Sequence, residues 1–382
     1  MKNASLLDLY TDYLIASFDL VTATGLSSLL SGQISHDKIS RFLGQGLFTQ
    51  HDYWKIIKPI IRKVEHEDGI IKIDDTYEYK PHSTENEIIC WHFDHSKKGT
   101  DKMVKGINIL NFVYQSPSSD TDFFSIPVAF EIIKKTEQFV DKKSGKVKRR
   151  STISKNELLR NRLYVLHYFN KVKFKYLLWD SWFSSKENFE YVHRKLEKYF
   201  IGALKSDRQV ALSLEDKQNG KFKRVDKLNM QKDQVLTVYL RGLDFPVRLV
   251  RLIFTNKDGS TGELYVVTNN LKLTYSDISI TYKKRWGVEV FHKSLKQNVG
   301  LEKSPTKNEI TQSNHIFAAM IASAKMEVLK IKHQTNHFAL KAKLYLKAIQ
   351  AAFDELQKLK RYCVKLEQAP HNHQQHDTLL LE

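Results

Sequence analysis

Three acidic positions carry the chemistry open to this sequence. Asp74, with Asp75 beside it, ends the β-branched run of "IKIDDT". Asp180 closes "LLWDSWF", after a run from Phe174 to Trp179 that only Lys175 interrupts. Glu289 stands among lysines and arginines in "YKKRWGVEVFHKSLK", Tyr282 to Lys296. Carboxylates beside apolar strands are costly to bury unless cations offset them, and the carboxyl end of a buried strand is where α/β sheets place ligands. Three such acids, brought together in a basic protein, suit two Mg²⁺ ions, which prefer oxygen ligands and leave room for substrate phosphates. Two ions of that kind serve an in-line phosphodiester displacement, with neighbouring Arg and Lys side chains as phosphate clamps. Each acid also has an ordinary reading on its own. Asp180 fits a turn or cap acid, and Glu289 fits i,i+4 ion pairs with Arg285 and Lys293 worth about 0.2–0.5 kcal/mol each.

Elements of defined type must position these acids. At about 100° per residue, Tyr282, Arg285, Glu289, His292 and Lys296 fall within roughly 80° on a helical wheel. Val288, Phe291, Leu295 and Val299 take the remainder as a core-facing stripe. "IIKIDDTYEYK", "VKGINILNFVYQ" and "FFSIPVAFEIIK" read as strands, the last two joined by a turn around "SPSSD". "DKKSGKVKRR" reads as a basic loop holding Lys142, Lys143, Lys146, Lys148, Arg149 and Arg150. "SKNELLRNRLYVLHYF" is a helix boxed by Ser154 and Glu157. "FKYLLWDSWF" is a strand, "SSKENFEYVHRKLEKY" a helix boxed by Ser184 and Glu187, and "FIGALKSD" a last strand. Three adjacent strands followed by helix, strand, helix, strand predict an α/β core with a mixed sheet. From 208 to 272, strands with Gly and Asp turns predict an all-β insertion, and a helix capped by Thr274 or Ser276 follows.

The flanks are helical. Up to about residue 66, "GLSSLLSGQISHDKISRFLGQ" predicts helix, turn at Gly32, and a second helix capped by Ser35. In a helix-turn-helix that second helix offers His36, Lys38, Ser40 and Arg41 to a major groove; a plain helical hairpin has the same pattern. The C-terminal helix, with Leu344, Ala348, Ala351, Ala352 and Leu359, is a candidate dimer surface or a face packed within one chain. The tail beyond it is polar, and its His371, His373 and His376 are those of a frayed terminus.

The totals narrow the partner. The chain has 382 residues and a net charge of +18 at pH 7, which favours a polyanion, nucleic acid first. Cys90 and Cys363 are its only cysteines. They suit a reducing cytosol and exclude a disulfide framework or a Cys-based zinc site. "WHFDHSKKG" holds His92 and His95, for which zinc is the lesser reading. No apolar run reaches membrane-spanning length, and the start, broken by Asp8 and Asp12, is not a signal peptide. The expectation is a soluble, cytoplasmic protein.

Tyr282, Arg285, Glu289 and Lys296 have the spacing of the Y-R-E-K signature, and with "IDDT" and "LLWDSWF" the chain resembles the DDE transposases of bacterial insertion sequences over residues 70–300. The resemblance implies a ribonuclease-H-like core, with Asp74, Asp180 and Glu289 as catalytic, metal-binding triad; Asp75 is the alternative to Asp74. It further implies Mg²⁺, with Mn²⁺ able to substitute, and Tyr282, Arg285 and Lys296 at DNA phosphates near the cleaved end. His292, Lys293, Lys148, Arg149, Arg150, Lys38 and Arg41 complete the expected DNA contacts. The expected organisation is a helical DNA-binding region (1–66), the catalytic core in two parts (67–207 and 273–332) around the insertion (208–272), and a C-terminal helix with its tail (333–382). The implied activity is binding of terminal inverted repeats in double-stranded DNA, cleavage with two Mg²⁺ ions, and joining of 3′ ends to target DNA. A homodimer on DNA and association with the nucleoid are expected with it. A non-catalytic repressor derived from a transposase and a structure-specific nuclease on the same core are the alternatives. Some relatives stack a flipped base on a Trp of the insertion. Residues 208–272 contain none, which leaves Tyr239, Phe245, Phe254 or Tyr265 for that role and the hairpin route of excision in question.

Overall fold

The computed structural model describes residues 4–94, 103–117, 123–142, 144–255 and 258–367, with side chains described as far as Arg361. Lys143, His95, the tail histidines His371, His373 and His376, and most of the "SPSSD" turn lie outside the described residues. By its contacts the chain divides into two compact units, Met1–His337 and Phe338–Glu382.

Four helices open the first unit: α1 (Ala4–Ala16), α2 (Ala23–Leu29), α3 (His36–Gly44) and α4 (Gln50–Val64). Gly32, at φ 75°, reverses the chain between α2 and α3, a backbone shape that a side chain would strain. Ser35 caps α3, its hydroxyl accepting the Lys38 N–H at 3.3 Å. Ile39, Phe42 and Leu43 are buried, whereas His36, Lys38, Ser40 and Arg41 face outward.

The central elements follow in the order β1 (Ile70–Tyr79), β2 (Cys90–Phe93), β3 (Met103–Gln115), β4 (Ser125–Ile132), β5 (Glu137–Val140), β6 (Val147–Arg150), α5 (Lys155–Tyr164), β7 (Tyr176–Trp179), α6 (Lys186–Glu190) and β8 (Tyr199–Leu204). β1 pairs antiparallel with β3 and parallel with β7, and β7 pairs parallel with β8. β2 and β4 share the other edge of β3. A mixed sheet of this order, flanked by helices, is that of a ribonuclease-H-like core. Parallel strands buried on both faces need near-continuous apolar sequence. "YLLW" and "FIGAL" supply it, and Leu177, Leu178, Trp179, Phe200 and Ile201 are fully buried.

The insertion holds β9 (Gln209–Ala211), α7 (Leu214–Gln218), β10 (Lys223–Arg224), β11 (Val235–Leu240), β12 (Val247–Thr255) and β13 (Thr261–Thr268). Strands dominate it, with the five-residue α7 the one α-helix among its described residues. β13 pairs antiparallel with β8, so the insertion prolongs the core sheet to eleven strands. Of its aromatic residues, Phe245 and Tyr265 are buried, and Phe254 is exposed. The chain then returns through α8 (Tyr275–Lys283), α9 (Gly287–Gln297), the buried α10 (Glu309–Lys332) and α11 (His337–Glu367). Thr274 and Asp277 form the capping box of α8. Among the described residues no helix is long and apolar enough to cross a membrane.

Four local expectations are corrected. "DKKSGKVKRR" is not a loop throughout: its last four residues pair with Glu137–Val140 as a separate hairpin, β5–β6. The cap of α6 is Ser185, not Ser184, because Ser184 turns inward, accepting the Trp179 indole N–H at 3.1 Å and donating to the Ala203 carbonyl. β2 is an additional strand. Finally, Tyr282 to Lys296 is not one helix, because a 3₁₀ turn over Lys284–Trp286 separates α8 from α9. Gly287 sits at the break and permits a close approach: a Cβ there would stand 2.7 Å from Nζ of the buried Lys72.

Candidate active site

β1 sends Asp74 and Asp75 to opposite sides of the strand, as adjacent strand residues must go, and both line the same cavity. Asp74 is 9% exposed, and its Oδ2 lies 3.2 Å from Nη1 of Arg285. The same nitrogen lies 3.6 Å from Glu289 Oε1. Those two carboxylates therefore stand no farther apart than the two lengths laid end to end. Asp75 Oδ2 is held by Lys155 Nζ at 2.9 Å and by the Asn108 side-chain amide. Asp180 follows the last residue of β7, and its Oδ1 accepts the Trp182 N–H at 2.9 Å. Asp74, Asp180 and Glu289 line one cavity of about 1210 Å³, together with Asp75. Lys135, Lys155, Lys205, Lys293 and Lys296 surround them.

The charge balance of this cavity is unusual for acids. Burial first, and then the nearby Asp180 carboxylate, pushes the pKa of Asp74 up to about 8 although Arg285 opposes the shift. Burial likewise raises that of Asp180. Asp74 thus favours the fold while protonated, below its ordinary 3.8, and that contribution is lost as pH rises through about 8. A divalent cation needs the deprotonated form and competes with that proton. The rise in melting temperature on adding MgCl₂ is therefore expected to be larger at pH 8.5 than at pH 6, measured by thermal unfolding; an equal rise at both would place the ion elsewhere.

The donor set is of the kind a hard divalent cation takes: carboxylate oxygens, those of Asp74 buried and those of Asp180 and Glu289 open to the cavity. Among the described residues, however, no three His, Cys, Asp or Glu side chains are already grouped to hold one ion. The Arg285 guanidinium is the cation that touches both Asp74 and Glu289.

Two expected DNA contacts are turned inward. Tyr282 is 6% exposed, packed among Leu178, Ile201 and Val266, and its hydroxyl donates to the Trp179 carbonyl at 3.3 Å. His292 is 6% exposed, lies 3.1 Å from the Asn111 amide, and burial lowers its pKa to about 3, so it is neutral. Both side chains are buried, and His292 also lines the cavity of the acids. Lys296 lies at the cavity edge, donating to the Tyr77 carbonyl at 2.6 Å and pairing with Glu302 at 2.9 Å. Lys293 is exposed along the same rim. Lys38 and Arg41, on α3, and Lys148, Arg149 and Arg150, on the β5–β6 hairpin, do not line the cavity. His92 is buried, its pKa lowered to about 3 by burial, and it lines the same cavity.

Two residues beside the acids escaped the sequence reading, Trp182 in the cavity and Lys72 in the core beneath it. Trp182 lines it two residues beyond Asp180, 43% exposed, with Lys155 Nζ 4.9 Å and Lys205 Nζ 5.9 Å from its ring. Its signal was present, since it stands inside "DSWF". Lys72, two residues before Asp74, is fully buried, donates to Gln115 at 3.0 Å and Ser125 at 3.1 Å, and has its pKa lowered to about 7 by burial. A lysine in an apolar strand gives no sequence signal for such partners.

No curated protein matches the chain. Residues 139–324 match the family model of the transposase DDE domain, a span that includes Asp180 and Glu289 and begins after Asp74. Over that span the chain is similar to the DDE transposases.

Proposed function

We propose that this protein is a DNA transposase of the Y-R-E-K group, with Asp74, Asp180 and Glu289 holding its divalent metal ions. One observation carries the reading: Arg285 bridges Asp74 and Glu289 in the cavity that Asp180 also lines. Asp74, Asp180 and Glu289 would hold Mg²⁺ or Mn²⁺, which would supply the Lewis-acid chemistry of an in-line phosphodiester displacement. Arg285, freed from the carboxylates, has the planar fork that grips two phosphate oxygens. Lys293 and Lys296 at the rim, and Lys155 and Lys205 opposite, hold the DNA backbone with little base preference. The exposed cations of α3 and of the hairpin extend that contact along the double strand. Lys72 and Tyr282 keep β1, α8 and α9 in register and so position the acids. The substrates are the element's terminal inverted repeats and a target duplex, within the nucleoid. Two DNA ends must be held together, so a homodimer forms on DNA. In the second unit, α11 leaves Leu344, Ile349, Phe353 and Leu356 exposed, a surface suited to that pairing.

The test uses the full chain, Mg²⁺, and duplexes bearing the inverted repeats that flank its coding sequence. Nicks at the repeat ends followed by joined products support the proposal. Cutting without joining marks a structure-specific nuclease, and binding without cutting marks a repressor; either outcome overturns it.

A further inference from the structure

The β5–β6 hairpin stands apart from the eleven-stranded sheet, and nothing in the reaction above requires it to be a ribbon. Its stem is tied down. Lys135 N–H donates to the Glu87 carbonyl at 2.7 Å, Lys135 Nζ to the Trp91 carbonyl at 2.6 Å, and Ser151 Oγ to the Lys134 carbonyl at 2.5 Å. Its tip is closed by Gly145, at φ 64°, whose N–H donates to the Asp141 carbonyl at 2.8 Å. Between stem and tip all of β5 is exposed, and Val140 and Val147 are 64% and 61% exposed. A two-stranded ribbon fixed at one end and bare along its length is a poor core element.

Its register sorts the side chains into two faces, because cross-strand partners share a face. Glu137 with Arg150, and Phe139 with Lys148, form one face. That face is busy within the hairpin: Arg150 pairs with Glu137 at 2.8 Å and lies 5.5 Å from the Phe139 ring, while Lys148 pairs with Asp141. The opposite face carries Gln138 with Arg149, and Val140 with Val147; Arg149 is half-buried and its Nη1 donates to the Lys135 carbonyl at 3.3 Å, which leaves the rest of its guanidinium fork for a base. Those are the side-chain types that read base edges in a major groove: Arg for guanine, Gln for adenine, and small apolar groups for the thymine methyl. A major groove, about 12 Å wide, admits a two-stranded ribbon. Four residues of strand run about 13 Å, close to the rise of four base pairs. The flanks of the hairpin, Ile133 and Lys135 on one side and Ser151 to Lys155 on the other, line the cavity of the acids.

We propose that the β5–β6 hairpin is a base-reading ribbon that enters the major groove of duplex DNA beside the bond held at Asp74, Asp180 and Glu289. It rests on the reading of the chain as a DNA-cutting protein and adds to it a determinant of sequence choice. The six lysines and arginines from Lys142 to Arg150 outweigh the two acids, Glu137 and Asp141, that pair with Arg150 and Lys148, and so supply the net charge complementarity for that groove; the Gln138–Arg149 face supplies the selection.

The experiment selects bound duplexes from a pool of random-sequence DNA with the full-length chain, then with Gln138→Ala/Arg149→Ala, Gln138→Ala alone, and Lys148→Ala. The wild type is expected to enrich a run of three or four base pairs. The double variant should lose about tenfold to a hundredfold discrimination at those positions. Gln138→Ala should lose it at one position, and Lys148→Ala should weaken all sequences alike and reduce the salt slope by about 1. These residues lie on an exposed ribbon, so circular dichroism should be unchanged. The same enriched sequence from wild type and double variant overturns the inference, and so does a wild type that binds duplexes without enriching any sequence. Loss of self-association with base preference intact makes the ribbon a protein contact instead. Failure of the wild type to bind any duplex removes the DNA-cutting reading itself, and so is distinguishable from failure of the ribbon alone.

Discussion

Glu289→Gln protein is expected to bind element-end DNA as the wild type does and to lose Mg²⁺-dependent cleavage by about 10³-fold or more, since a lost metal ligand removes several kcal/mol of charge stabilisation. The Glu289 side chain is 46% exposed, so the amide should leave the fold intact. Asp180→Asn should lose activity as fully, with a different effect on stability. Burial already penalises the Asp180 charge, and its carboxylate in turn raises the pKa of Asp74. An uncharged amide relieves both, so the melting temperature should hold or rise while turnover disappears, the trade-off expected where function needs an unfavourable charge. Cleavage at the wild-type rate by either variant, measured as nicked DNA over time, would remove that residue from the site.

Trp179→Ala has the largest expected effect on stability, a loss of about 3–5 kcal/mol by denaturant unfolding. Trp179 is fully buried, its ring 5.8 Å from Phe200 and 6.1 Å from Phe189. A Cβ added at Gly202 would stand 2.4 Å from its indole nitrogen, so the two positions fit as a pair. Truncation leaves a cavity and removes the indole N–H that the Ser184 hydroxyl accepts, leaving that hydroxyl its bond to the Ala203 carbonyl. The Trp179 carbonyl also receives the Tyr282 hydroxyl, and Asp180 follows directly, so activity should fall even where the variant remains folded. A cost under about 1 kcal/mol would contradict this packing, because that is the range of a surface change.

The acids were legible because each ends a segment with a strong pattern. "IKID" and "YLLW" are apolar enough to be buried strands whatever their neighbours, and Val288, Phe291 and Leu295 fix the inner side of α9. What failed was rotation. The wheel placed Tyr282 with Glu289 by assuming 100° per residue throughout; His292 shares α9 with Glu289, beyond the break, and is buried by its contact with Asn111 instead. Three residues of 3₁₀ helix advance about 120° each, roughly 60° more in total, which turns the two ends of the stretch relative to one another. The close approach of Lys72 to Gly287 at that break joins segments far apart in sequence and cannot be read from either. The hairpin was hidden for a different reason. "KVKRR" reads as a charge run, and its pairing with Glu137–Val140 follows from the turn at Gly145 rather than from apolar alternation. Ser184 and Ser185 satisfy the same cap pattern, and only the buried indole beside them decides between the two.

Crystals of the full chain soaked in Mn²⁺, with anomalous diffraction recorded at the manganese edge, test the central claim most directly. The account predicts peaks within bonding distance of Asp74, Asp180 and Glu289, with Arg285 withdrawn from the carboxylates it bridges. Manganese bound away from all three acids, or Arg285 still clamped between Asp74 and Glu289 at saturating metal, would contradict it.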